Sequence, residues 1–102
     1  DGQWRACVDA YKQSFRKSGL DFGPRYHVVS GLCAVLRDEE CPTSPDDMDL
    51  FEEVIRDEKE HAECRIQCAF TRGLLRFQAS DRDAAGRDYR RAIEISRTAT
   101  KK

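Results

Sequence analysis

Apolar side chains return every three or four residues along most of the chain. From residue 3 to 18 they fall at Trp4, Cys7, Val8, Tyr11 and Phe15, and from 24 to 37 at Tyr26, Val29, Leu32, Cys33 and Leu36. The stripe resumes at Met48, Phe51, Val54 and Ile55. It continues through Ala62, Ile66, Ala69, Phe70, Gly73, Leu74 and Phe77, and ends with Ala85, Tyr89, Ala92 and Ile93. This spacing gives an α-helix one apolar face, and no stretch shows the period of two that marks a half-buried strand. The pattern predicts five helices in an all-α fold, antiparallel where their connections are short.

Breaker and capping residues set the boundaries. Ser18-Gly19 closes the first helix, and Pro24 suits the first turn of the second, which runs to Arg37. Residues 38–46, with Pro42 and Pro45, read as a loop. Ser44-Pro45-Asp46-Asp47 reads as a helix start: a hydroxyl to accept orphan N–H groups, a proline where no donor is needed, and acids at the positive end of the dipole. A fourth helix is expected from about Glu58 to Phe77. The fifth is expected to be capped by Ser80 or Asp81 and to fray toward Lys102.

Composition narrows the class. The 102 residues suit one domain, 1–102, with 36% charged and 39% hydrophobic residues and a net charge of −1. The first residue is Asp1, so the chain reads as a piece or processed product of a longer protein. No apolar run nears the ~20 residues of a membrane span, and bulk charge favours neither nucleic acid nor membrane. The charge is uneven, however. Residues 38–60 hold eleven acids against Arg56 and Lys59, while Arg82 to Lys102 is net basic. Solvated helix faces that balance each other account for this, and steering of a charged partner is the alternative. The five cysteines, Cys7, Cys33, Cys41, Cys64 and Cys68, match no secreted disulfide framework, so reduced thiols and an intracellular compartment are expected.

Within residues 62–96, Gly73 is followed twelve residues on by Ala85, then by Tyr89 and Ala92. This resembles the tetratricopeptide repeat (TPR) in residue type and spacing. Arg72 stands where the family usually has Leu, and Arg97 where a closing Pro is usual. Gly31 begins a second match, with Asp47, Phe51 and Val54 following if the loop carries a four-residue insertion; Cys7, Tyr11 and Ser14 repeat the second-helix spacing alone. The resemblance implies an orphan second helix (3–18), a hairpin over 24–57 with an inserted loop at 38–46, and a hairpin over 58–97, stacked as a short right-handed α-solenoid. Gly73 and Ala85 are then expected to meet where the helices cross.

In this family the first helices of the hairpins line a groove for a peptide or helix of another protein. The resemblance places Arg25, Val28, Val29, Leu32, Gln67, Phe70, Thr71, Leu74 and Gln78 there. The Lys/Asn/Arg clamp that some members use for a terminal carboxylate is missing, with Val29, Gln67 and Thr71 at those positions. The implied function is a non-catalytic adaptor or scaffold module without a cofactor, whose partner is another protein. One alternative is a zinc-stabilised domain using His61, Cys64 and Cys68, with Cys33, Cys41 or His27 as fourth ligand. Another is self-association through Trp4 or the terminal helix. No nucleophile–base–orienter set and no phosphate-binding glycine loop can be placed, and the basic residues of the last helix lack the aromatic platform of a nucleic-acid binder. Ser44-Pro45 also fits a proline-directed phosphosite.

Overall fold

The computed structural model describes residues 2–17, 19, 21–38 and 43–100. The regular elements are α1 (Gly2–Lys17), α2 (Phe22–Arg37), α3 (Pro45–Arg56), α4 (Ala62–Gln78) and α5 (Arg82–Thr100), with no strand among the described residues. The fold is all-α. Cys41 and Pro42 of the expected loop, and the two terminal lysines, lie outside the described residues.

The local signals act much as their chemistry requires. Ser44 and Asp47 form a reciprocal capping box at the start of α3: Asp47 N–H donates to Ser44 Oγ at 3.4 Å, and Ser44 N–H donates to Asp47 Oδ2 at 2.8 Å. Asp81 Oδ1 accepts from Ala84 N–H at 3.2 Å, which makes Asp81, not Ser80, the residue that caps α5. Ser80 instead ends α4 with φ 67°. Asp81 N–H reaches Arg76 O at 2.8 Å and Ser80 N–H reaches Phe77 O at 3.0 Å, a Schellman closure.

Two boundaries differ from the sequence expectation. α2 begins at Phe22, with Arg25 N–H bonded to Asp21 O at 3.3 Å; Pro24 is tolerated there because N–H groups of a first turn have no partner to lose. α4 begins at Ala62, because Asp57 diverts the preceding residues into a turn, taking Lys59 N–H on its carboxylate at 2.9 Å and Glu60 N–H on its carbonyl at 3.0 Å.

α4 is the hub. It packs against α2, α3 and α5, while α1 packs on α2; α2 and α3 make no close backbone approach among the described residues. Residue pairings fix the directions. Arg25–Glu60 and Cys33–Gln67 make α2 and α4, which no short connection joins, parallel. Arg25–Phe15, Glu52–Arg72 and Asp88–Arg72 make α1, α3 and α5 antiparallel to them. The chain forms a slab of 44 × 34 × 17 Å. Its core joins Val8 and Phe15 of α1, Leu32 and Leu36 of α2, Phe51 and Ile55 of α3, and Cys68, Ala69 and Ile95 from the last two helices.

Two glycines allow the closest approaches. A Cβ on Gly31 would lie 2.5 Å from the Tyr11 ring, and one on Gly73 would lie 2.9 Å from the Tyr89 ring and 3.2 Å from Asp88 Cβ. Gly73 therefore meets Tyr89 and Asp88 at the α4–α5 crossing. Ala85, expected opposite it, is buried in the same helix at 1% exposure.

Buried charges tie the helices together. Asp47 accepts from Arg5 Nη2 at 2.9 Å and pairs with Lys12, linking α3 to α1. Glu60 accepts from Arg25 Nε at 2.8 Å, and the Arg25 guanidinium lies 3.9 Å above the centre of the Phe15 ring. Asp88 accepts from Arg72 Nη2 at 2.8 Å and from Arg76 Nη1 at 3.0 Å, and Arg72 Nη1 reaches Glu52 at 2.6 Å. Burial would lower the Arg72 pKa, but its bonds to Asp88 and Glu52 outweigh burial and raise it, so Arg72 is a permanent cation.

Burial alone would raise the Asp47 pKa, yet hydrogen bonds from Lys12, from the Ser44 backbone and from Arg5 hold it below its ordinary value. A depressed carboxyl contributes stability that is complete above its unfolded pKa and is lost as pH falls through its folded one. Asp47→Asn is thus expected to lower stability at pH 7, with the gap to the parent chain closing below about pH 4. Urea unfolding across pH 2–7 checks this; a gap that is constant with pH contradicts it.

Candidate functional site

The sequence places nine residues on a partner groove, and the structure divides them. Val29, Leu32 and Thr71 are buried at 1%, 2% and 0% exposure, where no partner can touch them. Val28 is partly buried against the core. Arg25 is not at a rim: its bonds to Glu60 and Phe15 O, and the raised pKa that Glu60 gives it, make it a staple between α1, α2 and the turn before α4. Phe70 and Gln78 are exposed, and Gln67 and Leu74 half-buried.

Phe70 belongs to a different concave surface. An open groove of about 460 Å³ runs between α4 and α5, with Ile66 and Phe70 on one bank and Tyr89, Ala92, Ile93, Ser96 and Arg97 on the other. Phe70 and Ile93 are each half exposed. The Tyr89 ring sits between Gly73 and Phe70, its centroid 5.5 Å from that of Phe70 at a tilt of 53°. Gly73 thus bears on the site: a Cβ there would lie 2.9 Å from the Tyr89 ring and displace it.

The helical stripe implies that Phe70, Phe77 and Ile93 face inward, and the structure leaves all three half exposed. Their spacing is right for an apolar stripe, but no element among the described residues covers them fully. Phe77 is 53% exposed under the Arg82 guanidinium. Sequence reasoning missed Ile66, Tyr89, Ala92, Ile93, Ser96 and Arg97 as lining residues. The available signal was the width of the apolar stripe on α4, which is broader than one neighbouring helix can bury.

The zinc alternative gains nothing from the geometry. Among the described residues no three His, Cys, Asp or Glu side chains gather as a metal-binding group, and Cys41 lies outside them. The His61 ring packs edge-on against Phe22 at 5.3 Å. Burial, then the Glu60 carboxylate, pushes the Cys64 thiol up to about 12. Cys68 is also held well above its ordinary value, by its hydrogen bond with Cys33 and by burial. Cys7, Cys33, Cys64 and Cys68 are free thiols.

Among the described residues the fold is all-α, five helices with an apolar groove between α4 and α5. No helix among the described residues is long and apolar enough to cross a membrane. No family model, curated protein or solved structure matches the chain.

Proposed function

We propose that the chain is a TPR-like helical-repeat module, a short right-handed α-solenoid, that carries out no chemistry and holds a helix of another protein on its α4–α5 face. The observation carrying this reading is the half-exposed pair Phe70 and Ile93 on the two banks of a groove floored by Ala92. The helix directions are compatible with it, since α2 and α4 run parallel with α1, α3 and α5 opposed to them; α4 and α5 form the packed hairpin, while, among the described residues, α2 and α3 of the expected 24–57 hairpin meet through α4 and not each other. The close approach of Gly73 to Tyr89 fits the spacing within one repeat, and Gly31 makes its close approach to Tyr11 of the preceding helix. The free thiols of Cys33, Cys64 and Cys68 fit a reducing intracellular compartment.

The occupant is argued from the chain's own repetition. Tyr89, Ala92 and Ile93 on α5 correspond by spacing to Phe51, Val54 and Ile55 on α3. Those three are buried, and α3 packs on α4, which runs antiparallel to it. The matching cover for α5 is a helix antiparallel to α5 and parallel to α4, with an apolar stripe at i, i+3 or i+4, and i+7. Arg90 and Arg97, on the Ile93 edge of α5, suit acidic flanks on that helix.

Selection from a displayed library of helical peptides against the full chain tests this. It is expected to enrich such stripes, and Ile93→Glu should weaken the selected peptides by about tenfold or more. Ile93 is half exposed, so the thermal midpoint should stay unchanged. Binding that survives both Ile93→Glu and Phe70→Glu overturns the reading. So does dimerisation, seen by sedimentation, that those substitutions abolish.

A further inference from the structure

We propose that the cleft between α3, α4 and α5 binds the phosphate monoester of a phosphorylated segment of another protein. The cleft, about 350 Å³, lies on the flank of α5 away from the apolar groove and is independent of it. Five arginines line it: Arg56 from α3, Arg72 and Arg76 from α4, and Arg87 and Arg91 from α5. Only two carboxylates do, Glu52 and Asp88, which leaves an excess of three positive charges. Glu94, 3.6 Å from Arg91 and outside the lining, reduces that excess to two at most.

The arginines differ in how far they are spent. Arg72 gives Nε and Nη2 to Asp88 and Nη1 to Glu52, so it forms a fixed back wall. Arg76 gives only Nη1 to Asp88, which orients its guanidinium and leaves donors directed elsewhere. Arg87 is exposed and has no carboxylate partner among the described residues. Like-charged guanidiniums held this close repel one another, and an anion with several acceptor oxygens relieves the repulsion through paired N–H bonds. A carboxylate brings one charge, whereas a phosphate monoester brings close to two and three acceptor oxygens, which matches the excess.

The surroundings select the source. Glu52 and Arg56 are shared with an adjoining acidic surface that adds Asp49, Glu53 and Asp57. An extended polyanion, such as a nucleic acid strand or an anionic bilayer, meets that repulsion; a single phosphate on a peptide does not. Ile55 is the one uncharged side chain lining the cleft, so no aromatic platform exists to stack a nucleobase.

Titration of the full chain, followed by calorimetry, tests the site with a capped glycine-rich pentapeptide carrying one phosphoserine. The phosphopeptide should bind at least about tenfold more tightly than its unphosphorylated form, and Arg87→Gln with Arg91→Gln should weaken it by a similar factor. The thermal midpoint should not move, and Arg82→Gln, outside the cleft on the same helix, should have no effect. Inorganic phosphate binding as tightly as the phosphopeptide makes this a free-anion site and overturns the proposal. Binding to phosphatidylserine vesicles in preference to the peptide, or phosphopeptide affinity unchanged in the double variant, overturns it equally.

Discussion

Asp88→Ala is expected to cost about 3–5 kcal/mol, a large part of the 5–15 kcal/mol that holds a domain of this kind folded. Asp88 is the shared acceptor of Arg72 and Arg76, and its side chain is 3% exposed. Removing it strands the Arg72 guanidinium, 9% exposed, with Glu52 alone. The cost arises from the uncompensated charge more than from the lost bonds, so a second change should reveal its origin. Replacing Arg72 as well, as Asp88→Leu with Arg72→Met, should recover much of the loss, because a buried pair exchanged for apolar groups of similar size is often neutral. Urea unfolding of the three proteins measures this. A single-variant loss below about 1 kcal/mol, the range of a surface ion pair, contradicts the burial argument.

Thr71→Arg should abolish cooperative folding. The repeat register alone makes Thr71 a lining residue of a partner groove, and on that basis an arginine there would block binding and leave the helices intact. The structure puts Thr71 at 0% exposure, between the α2 and α4 layers, where its hydroxyl lies near the Cys33 thiol and has no hydrogen-bond partner within bonding distance. An arginine there must bury its charge without an acid to meet it, at a cost of several kcal/mol. Thr71→Val, which keeps the shape and removes the unpartnered hydroxyl, should fold with a midpoint equal to or above that of the parent. Circular dichroism melts separate the two outcomes; a cooperative melt for Thr71→Arg contradicts the placement.

These two residues show where sequence reasoning reaches and where it stops. The five helices were legible because each carries an apolar stripe at the helical period and because Ser44, Asp47 and Asp81 are capping residues whose partners lie within three positions. The close pairing of α4 and α5 was legible in Gly73, although the side chain nearest to it is Tyr89 and not the expected Ala85. The buried charges were not. Asp47, Glu60, Arg72 and Asp88 read as parts of solvated faces, since exposure is the usual fate of a charge. Their partners lie as far as 42 residues away in sequence, a pairing no local spacing reveals. Asp47 is instructive, because it occupies the small-residue position of the second repeat match. It is accommodated there by Arg5 and Lys12 of α1.

The groove was half legible for a related reason. Periodicity identifies apolar positions but not which of them a neighbour covers. Val29 and Phe70 read alike, yet α4 lies beside α2 and buries Val29, while, among the described residues, Phe70 meets only the Tyr89 edge of α5 and stays half exposed.

The most direct measurement is a nuclear magnetic resonance structure of the full chain with one of the selected helical peptides bound. The account predicts intermolecular contacts from the Phe70 and Tyr89 rings and the Ile93 methyl groups, with the peptide helix lying parallel to α4. Contacts centred on Arg25 and Val28 of α2, or a peptide bound in extended form, would contradict it.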